Sequence, residues 1–105
     1  MWIRSAIWIG RPRAGEEQAF ETTMNELLIP AMRLFPGVAG VHVLWPRRRE
    51  EPVPDIYCQV IVQFVSAEDL AIMMASEERA ALRPRVLETA ALFEGTLGHI
   101  DYEAA

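Results

Sequence analysis

Two histidines are the only imidazoles in this sequence, and one of them has a carboxylate close by. His99 and Asp101 stand two residues apart in "TLGHIDYE", whereas His42 lies between two valines in "GVHV". An imidazole with a neighbouring carboxylate can act as a general acid or base on a bound substrate. The candidate catalytic residues are therefore His99, with Asp101 to orient it, and His42. The alternative is that each histidine only satisfies hydrogen bonds at a strand edge.

No pattern for metal or cofactor chemistry accompanies these histidines. Two imidazoles on different segments and one carboxylate do not make the three or four ligands of a stable zinc site. A glycine-rich phosphate loop and a Ser-His-Asp or Cys-His spacing are also missing. The single cysteine, Cys58, lies in "IYCQVIV" without a basic neighbour, which indicates a buried structural thiol. We expect no cofactor and no metal.

The composition of the 105 residues argues against several classes of partner. Fifteen acidic and ten basic residues give a net charge of -5, whereas nucleic-acid binding depends on neutralising phosphates. The apolar run at the N-terminus contains Arg4 and is too short for a signal peptide or a membrane span. We therefore expect a single cytoplasmic domain over residues 1–105, with no nucleic-acid or membrane partner.

The elements that would position the histidines follow the order β-α-β-β-α-β. Strands are predicted at "WIRSAIWIG", "VAGVHVLW", "DIYCQVIVQFV" and "TLGHIDYE". The first helix starts at Glu16 and should be kinked, not ended, by Pro30, so that it continues to about Leu34. Ser66 and Ser76 each cap part of the second helical region, which Gly95 should end. This order indicates an α+β, ferredoxin-like fold, a four-stranded antiparallel sheet with the helices on one face.

The third predicted strand has one face for the helices and a second face that needs cover. Alternation predicts that one set of side chains packs against the helices and that the other set points away from them. The helix-facing set is Ile56, Cys58, Val60, Val62 and Phe64, and the opposite set is Tyr57, Gln59, Ile61, Gln63 and Val65. With Trp8 of the first strand, the opposite set would expose apolar area to water. Two sheets packed face to face would bury it as a homodimer and enclose a small cavity in an eight-stranded barrel.

The stretch "ELLIPAMRLFPGVAGV" resembles the EthD-like branch of the dimeric α/β-barrel proteins, the group named for ether degradation. In that family the first helix ends in Glu-Val-His-x-Pro-Leu, with Pro-Gly six residues further on, and Glu26, Pro30, Pro36 and Gly37 fall in that spacing. The resemblance implies an EthD-like dimeric α/β-barrel domain with a central pocket. Leu28 occupies the family's histidine position and can neither transfer a proton nor bind a metal. Chemistry that rests on that histidine is therefore not expected here.

Three functions agree with these observations. The first is a small-molecule-binding protein, accessory to a catabolic or biosynthetic pathway, with a pocket inside the barrel for a small, mostly apolar molecule. The pocket residues would be Arg4, Trp8, Tyr57, Gln59, Ile61 and Gln63. The second is a cofactor-free cyclase, isomerase or monooxygenase for an aromatic or polyketide-like substrate, with His99 or His42 as the base. The third is a structural dimerisation module without a ligand, and a ligand-sized cavity would argue against it.

Overall fold

The order of elements in the computed structural model, which describes all residues 1–105, is β1-α1-β2-β3-α2-α3-β4. The strands are β1 (Trp2–Pro12), β2 (Gly40–Leu44), β3 (Ile56–Phe64) and β4 (Phe93–Glu103). The helices are α1 (residues 17–32), α2 (Ala67–Met74) and α3 (Glu77–Ala91). All neighbouring strands are antiparallel, in the order β2-β3-β1-β4. This confirms the predicted α+β, ferredoxin-like fold.

The hydrophobic core lies between one face of the sheet and the helices. Helix α1 contributes Phe20, Met24 and Leu28, which are spaced four residues apart and therefore share one helix face. The ring of Phe20 is 5.1 Å from that of Trp8, edge to face. Cys58 is fully buried in this layer, and burial raises the pKa of its thiol to about 12, which agrees with a structural role.

Helix α1 passes through Pro30 by means of a π-helical turn. Its segments are α-helical over Glu17–Thr23, π-helical over Met24–Leu28 and α-helical again over Ile29–Met32. The N–H of Ile29 donates to the carbonyl of Met24, five residues back. This shift in register comes directly before the proline, which has no N–H to donate. The prediction that the helix continues beyond Pro30 is confirmed, but the helix ends at Met32 and not near Leu34 as expected.

The second helical region consists of two helices, each capped by a serine as predicted. The hydroxyl oxygen of Ser66 accepts a hydrogen bond from the N–H of Asp69 at 3.1 Å, at the start of α2. The hydroxyl oxygen of Ser76 accepts one from the N–H of Arg79 at 3.2 Å, at the start of α3. These caps satisfy backbone donors that have no partner within the helix. They also fix the residues at which α2 and α3 begin.

Gly95 lies in β4 and does not end the helix, contrary to the sequence-based expectation. It pairs with Gly10 of β1, and its φ of 150° is a backbone conformation that side chains rarely adopt. A Cβ atom on Gly95 would lie 1.9 Å from the carbonyl oxygen of Ile9. The absence of a side chain at Gly95 therefore allows β4 to approach β1 closely at this position. Strand β4 begins earlier than predicted, at Phe93.

Two aromatic residues that were expected on the uncovered face of the sheet lie on the helix side. Trp8 is opposite Cys58 in the register and is 2% exposed. The register shifts after Trp8, from Cys58 to Ile56, so Tyr57 has no partner and the alternation is interrupted. The Tyr57 ring consequently packs 5.5 Å from Phe20 of α1. Alternation alone had placed both rings on the wrong face.

The opposite side of the sheet, here called the open face, has no helix over it. Its side chains form three rows across β2, β3, β1 and β4. The rows are Gly40, Gln63, Ile3 and Tyr102; His42, Ile61, Ser5 and Ile100; and Leu44, Gln59, Ile7 and Gly98. Ile100 and Tyr102 are 44% and 46% exposed. The open face is therefore an apolar surface with a few polar groups.

Candidate functional site

A cavity of about 380 Å³ lies between the covered face of the sheet and the helices. Fourteen of its eighteen lining residues are hydrophobic. The buried members, at the inner end, are Trp8, Met24, Leu28, Val60, Val62 and Met73, whereas Ala80, Arg83, Leu87 and His99 are exposed at the mouth. The cavity thus has an apolar interior and a mouth that includes polar side chains.

The four polar residues of the cavity lining are Arg4, Arg79, Arg83 and His99. Alternation in β1 places Arg4 beside Ala6 on the covered face, and the register sets His99 opposite Ala6. Arg79 and Arg83 are one helical turn apart on α3, so their side chains leave the helix on the same side. No acidic residue lines the cavity. The polar part of the site is therefore cationic.

Asp101 bonds to Arg4 and not to His99. The Arg4 Nη1 donates to both carboxylate oxygens of Asp101, at 3.0 and 3.2 Å. The register explains this, because Asp101 is directly opposite Arg4 while His99 is opposite Ala6. The expected orienting contact between Asp101 and His99 is thus replaced by a contact that holds the Arg4 guanidinium at the cavity.

The surroundings of the His99 imidazole favour its neutral form. Partial burial lowers the pKa of His99 from its ordinary value of 6.5, and the positive charges of Arg4 and Arg79 lower it further. The Asp101 carboxylate opposes this shift without cancelling it. A neutral imidazole at the mouth can accept a proton or a hydrogen bond from a bound molecule.

The remaining candidate residues do not line this cavity. His42, Gln59, Ile61 and Gln63 belong to the open face. The Tyr57 hydroxyl lies on the helix side, 3.4 Å from a carboxylate oxygen of Glu21. The structure therefore brings Arg4, Trp8 and His99 together at the cavity, with Asp101 bound to Arg4. The other five candidate residues lie away from this cavity.

Sequence reasoning missed Arg79 and Arg83. Their four-residue spacing beside Leu82 and Val86 was a detectable signal, because it places two guanidinium groups next to an apolar stripe. Leu28, at the position where the family resemblance expects a histidine, lines the inner end of the cavity. An imidazole there would face the cavity, and this chain presents an isobutyl group in its place.

No protein-family model and no curated protein matches this sequence. Solved structures match it over nearly its whole length and define it as a ferredoxin-like α+β protein. An ethyl tert-butyl ether D (EthD) family protein from Bacillus halodurans C-125 has a TM-score of 0.79 at 18% identity, covering 100% of both chains. An antibiotic biosynthesis monooxygenase has a TM-score of 0.65 at 15% identity, covering 100% of this chain and 99% of that one.

A dimeric protein of unknown function with a ferredoxin-like fold, from Bacteroides fragilis NCTC 9343, has a TM-score of 0.61 at 13% identity, covering 98% of this chain and 96% of the other. The match to the EthD family structure from Bacillus halodurans confirms, at the level of the fold, the resemblance to the EthD-like proteins. No helix in the structure has both the length and the hydrophobicity needed to cross a membrane.

Proposed function

We propose that the protein binds a small, mostly apolar molecule in the cavity between its sheet and its helices. The observation that carries this proposal is a volume of about 380 Å³ with a lining that is hydrophobic at fourteen of eighteen residues. Sites for small molecules have volumes of roughly 300–1,000 Å³ and mostly apolar walls with a few polar groups. The cavity favours ligand binding over a purely structural module. It lies on the opposite side of the sheet from the pocket that was expected inside a barrel.

The test is a fluorescence titration with N-phenyl-1-naphthylamine, a neutral aromatic probe that emits strongly in apolar surroundings. We expect the protein to bind it, and we expect Ala6→Phe to weaken binding about 10-fold or more because the added ring occupies cavity volume. Ala71→Phe, on the exposed side of α2, is the matched control and should bind as the parent does. Thermal unfolding checks that each variant folds, and Ala80→Trp at the mouth replaces Ala6→Phe if that variant does not. Absence of binding, or binding unaffected by both cavity variants, contradicts the proposal.

We also propose that residues 1–105 form one protomer of a homodimer that pairs through the open face. The rows of this face carry isoleucines on three strands, and no element of the same chain covers them. Contiguous apolar surface of this kind marks interfaces. The dimeric solved structure from Bacteroides fragilis shares this fold, which supports the proposal.

A second candidate function is proton transfer on the bound molecule, with His99 as the general base. The observation in its favour is the position of His99, the one imidazole in the cavity lining, with a pKa lowered by burial and by Arg4 and Arg79. A neutral base beside cationic groups can remove a proton next to a carbonyl, because the cations stabilise the enolate that forms. His42 is on the open face and would not reach the same substrate.

Deuterium exchange of 2-tetralone in D₂O, followed by proton NMR, tests this second function. The protein should accelerate exchange at the carbon between the ring and the carbonyl, and His99→Gln should remove the acceleration. Because only the neutral imidazole accepts a proton, the catalysed rate should rise with pH through the pKa of His99, below 6.5, and level off above it. Equal rates for the parent and His99→Gln would exclude His99 as the base.

A further inference from the structure

We infer that the ligand carries an anionic group, a carboxylate or a group of the same charge, which Arg79 and Arg83 bind at the mouth while its apolar part lies inside the cavity. This inference rests on the proposed function, because it assigns the chemistry of the molecule that occupies the same site. The class of ligand is therefore a small amphiphilic acid.

The first support is the distribution of charge. The protein as a whole has a net charge of -5, yet its cavity is lined by three arginines and no acidic residue. Asp101 neutralises Arg4 from outside the lining. Arg79 and Arg83 remain uncompensated at the mouth. A positive region of this kind, beside a low-dielectric wall, attracts anions and repels cations.

The second support is that Arg79 and Arg83 pair with no carboxylate, although acidic residues outnumber arginines in this chain. Six of the ten arginines form ion pairs with an aspartate or a glutamate: Arg4, Arg11, Arg13, Arg48, Arg49 and Arg85. Arg85, on the same helix, pairs with Glu88 at 3.5 Å. The positive charges and N–H donors of Arg79 and Arg83, which face the cavity from α3, are therefore available to bind another molecule.

The third support is the geometry of the two guanidinium groups. Arg79 is partly buried, and its Nη1 donates to the carbonyl of Met74 at 3.3 Å, which restrains the side chain. A guanidinium has five donors, so most of those on Arg79 stay free. Arg83 stands one turn further along α3, and residues at this spacing have Cβ atoms about 5–6 Å apart. Two planar groups so placed can bind one carboxylate from adjacent directions.

Because the arginines lie at the mouth and the apolar side chains lie further in, the site fits a ligand with one charged end and an apolar body. Leu82 and Val86 of α3 line the cavity beside them, and the buried side chains of Leu28 and Trp8 lie at its inner end. An acid with an aromatic or aliphatic body can place its charge at Arg79 and bury the rest. A neutral molecule of the same shape gains only the apolar part of this interaction.

The experiment measures how well 1-naphthylacetate and 1-naphthylacetamide displace N-phenyl-1-naphthylamine from the protein. These two competitors have the same ring and nearly the same size, and they differ in charge. We expect the acid to bind about 10-fold more tightly than the amide, a modest gain because the arginines are partly solvated. Raising the salt concentration should reduce this preference, because screening weakens exposed charge pairs.

Variants of α3 assign the preference to residues. Arg79→Gln and Arg83→Gln should each reduce the ratio of acid affinity to amide affinity severalfold, and the double variant should bind the acid and the amide equally well. Arg85→Gln removes the same charge from the same helix outside the cavity, so it should retain the preference. Equal binding of acid and amide by the parent, or an equal loss in Arg85→Gln, overturns the inference. Absence of probe binding by the parent contradicts the proposed function itself, which keeps the two failures distinguishable.

Discussion

Ile61→Glu is expected to dissociate the proposed homodimer into monomers. Ile61 is the β3 member of the middle row of the open face, between His42 on β2 and Ser5 on β1. In a two-fold symmetric pair of sheets, both copies of the new carboxylate would be buried near the centre of the interface. The effective cost of burying an unpaired charge is of the order of several kcal/mol for each ion. Sedimentation velocity should show a mass near 11.9 kDa for the variant and about twice that for the parent.

Ile72→Glu is the matched control for this change. Ile72 is 47% exposed on α2, on the other side of the sheet, so the same substitution there should leave the dimer intact. A parent protein that sediments as a monomer, or an Ile61→Glu variant that remains a dimer, would rule out pairing through the open face. Insoluble Ile61→Glu protein would be compared with the parent by native mass measurement after refolding at low concentration.

Among the proposed substitutions, Phe20→Ala is expected to lower the free energy of unfolding the most. Phe20 has no exposed area, and its ring lies 5.1 Å from Trp8, 5.3 Å from Phe93 and 5.5 Å from Tyr57. Truncating a buried phenylalanine costs about 3–5 kcal/mol, because the lost burial leaves a void that the surroundings fill only in part. Domains of this size are stable by about 5–15 kcal/mol, so the variant should lose a large share of its free energy of unfolding.

Urea denaturation of both proteins at one concentration measures this loss, since the proposed dimerisation would add to the apparent stability. Leu34→Ala is the control, because Leu34 is 83% exposed and its truncation should change the free energy of unfolding little. A loss below about 1 kcal/mol for Phe20→Ala would contradict the packing described for the core.

The elements and their order could be predicted because each has a local cause in the sequence. Ser66 and Ser76 form the caps that their positions indicate, and the alternation from Cys58 to Phe64 places its apolar residues in the core. Pro30 interrupts the hydrogen-bond register of α1 without ending the helix. Signals of this kind act within a few residues, so they can be recognised without the tertiary structure.

The site could be predicted only in part, because it depends on relations between distant residues. Both faces of β1 carry bulky side chains, so alternation places Trp8 on the same face as Arg4 without showing which face the helices cover. The bulge that turns Tyr57 toward α1 exists only in the pairing of β1 with β3. The cavity itself depends on the distance between α3 and the sheet. No sequence pattern specifies that distance.

Methyl NMR of the protein with N-phenyl-1-naphthylamine tests most directly whether the ligand site lies between the sheet and the helices. An aromatic probe shifts the resonances of methyl groups that it contacts. We predict shifts for Val62, Val86 and Leu97, which line the cavity, and none for Ile3, Ile61 and Ile100 of the open face. Shifts confined to the three isoleucines would contradict the account and place the ligand between the two sheets of a dimer.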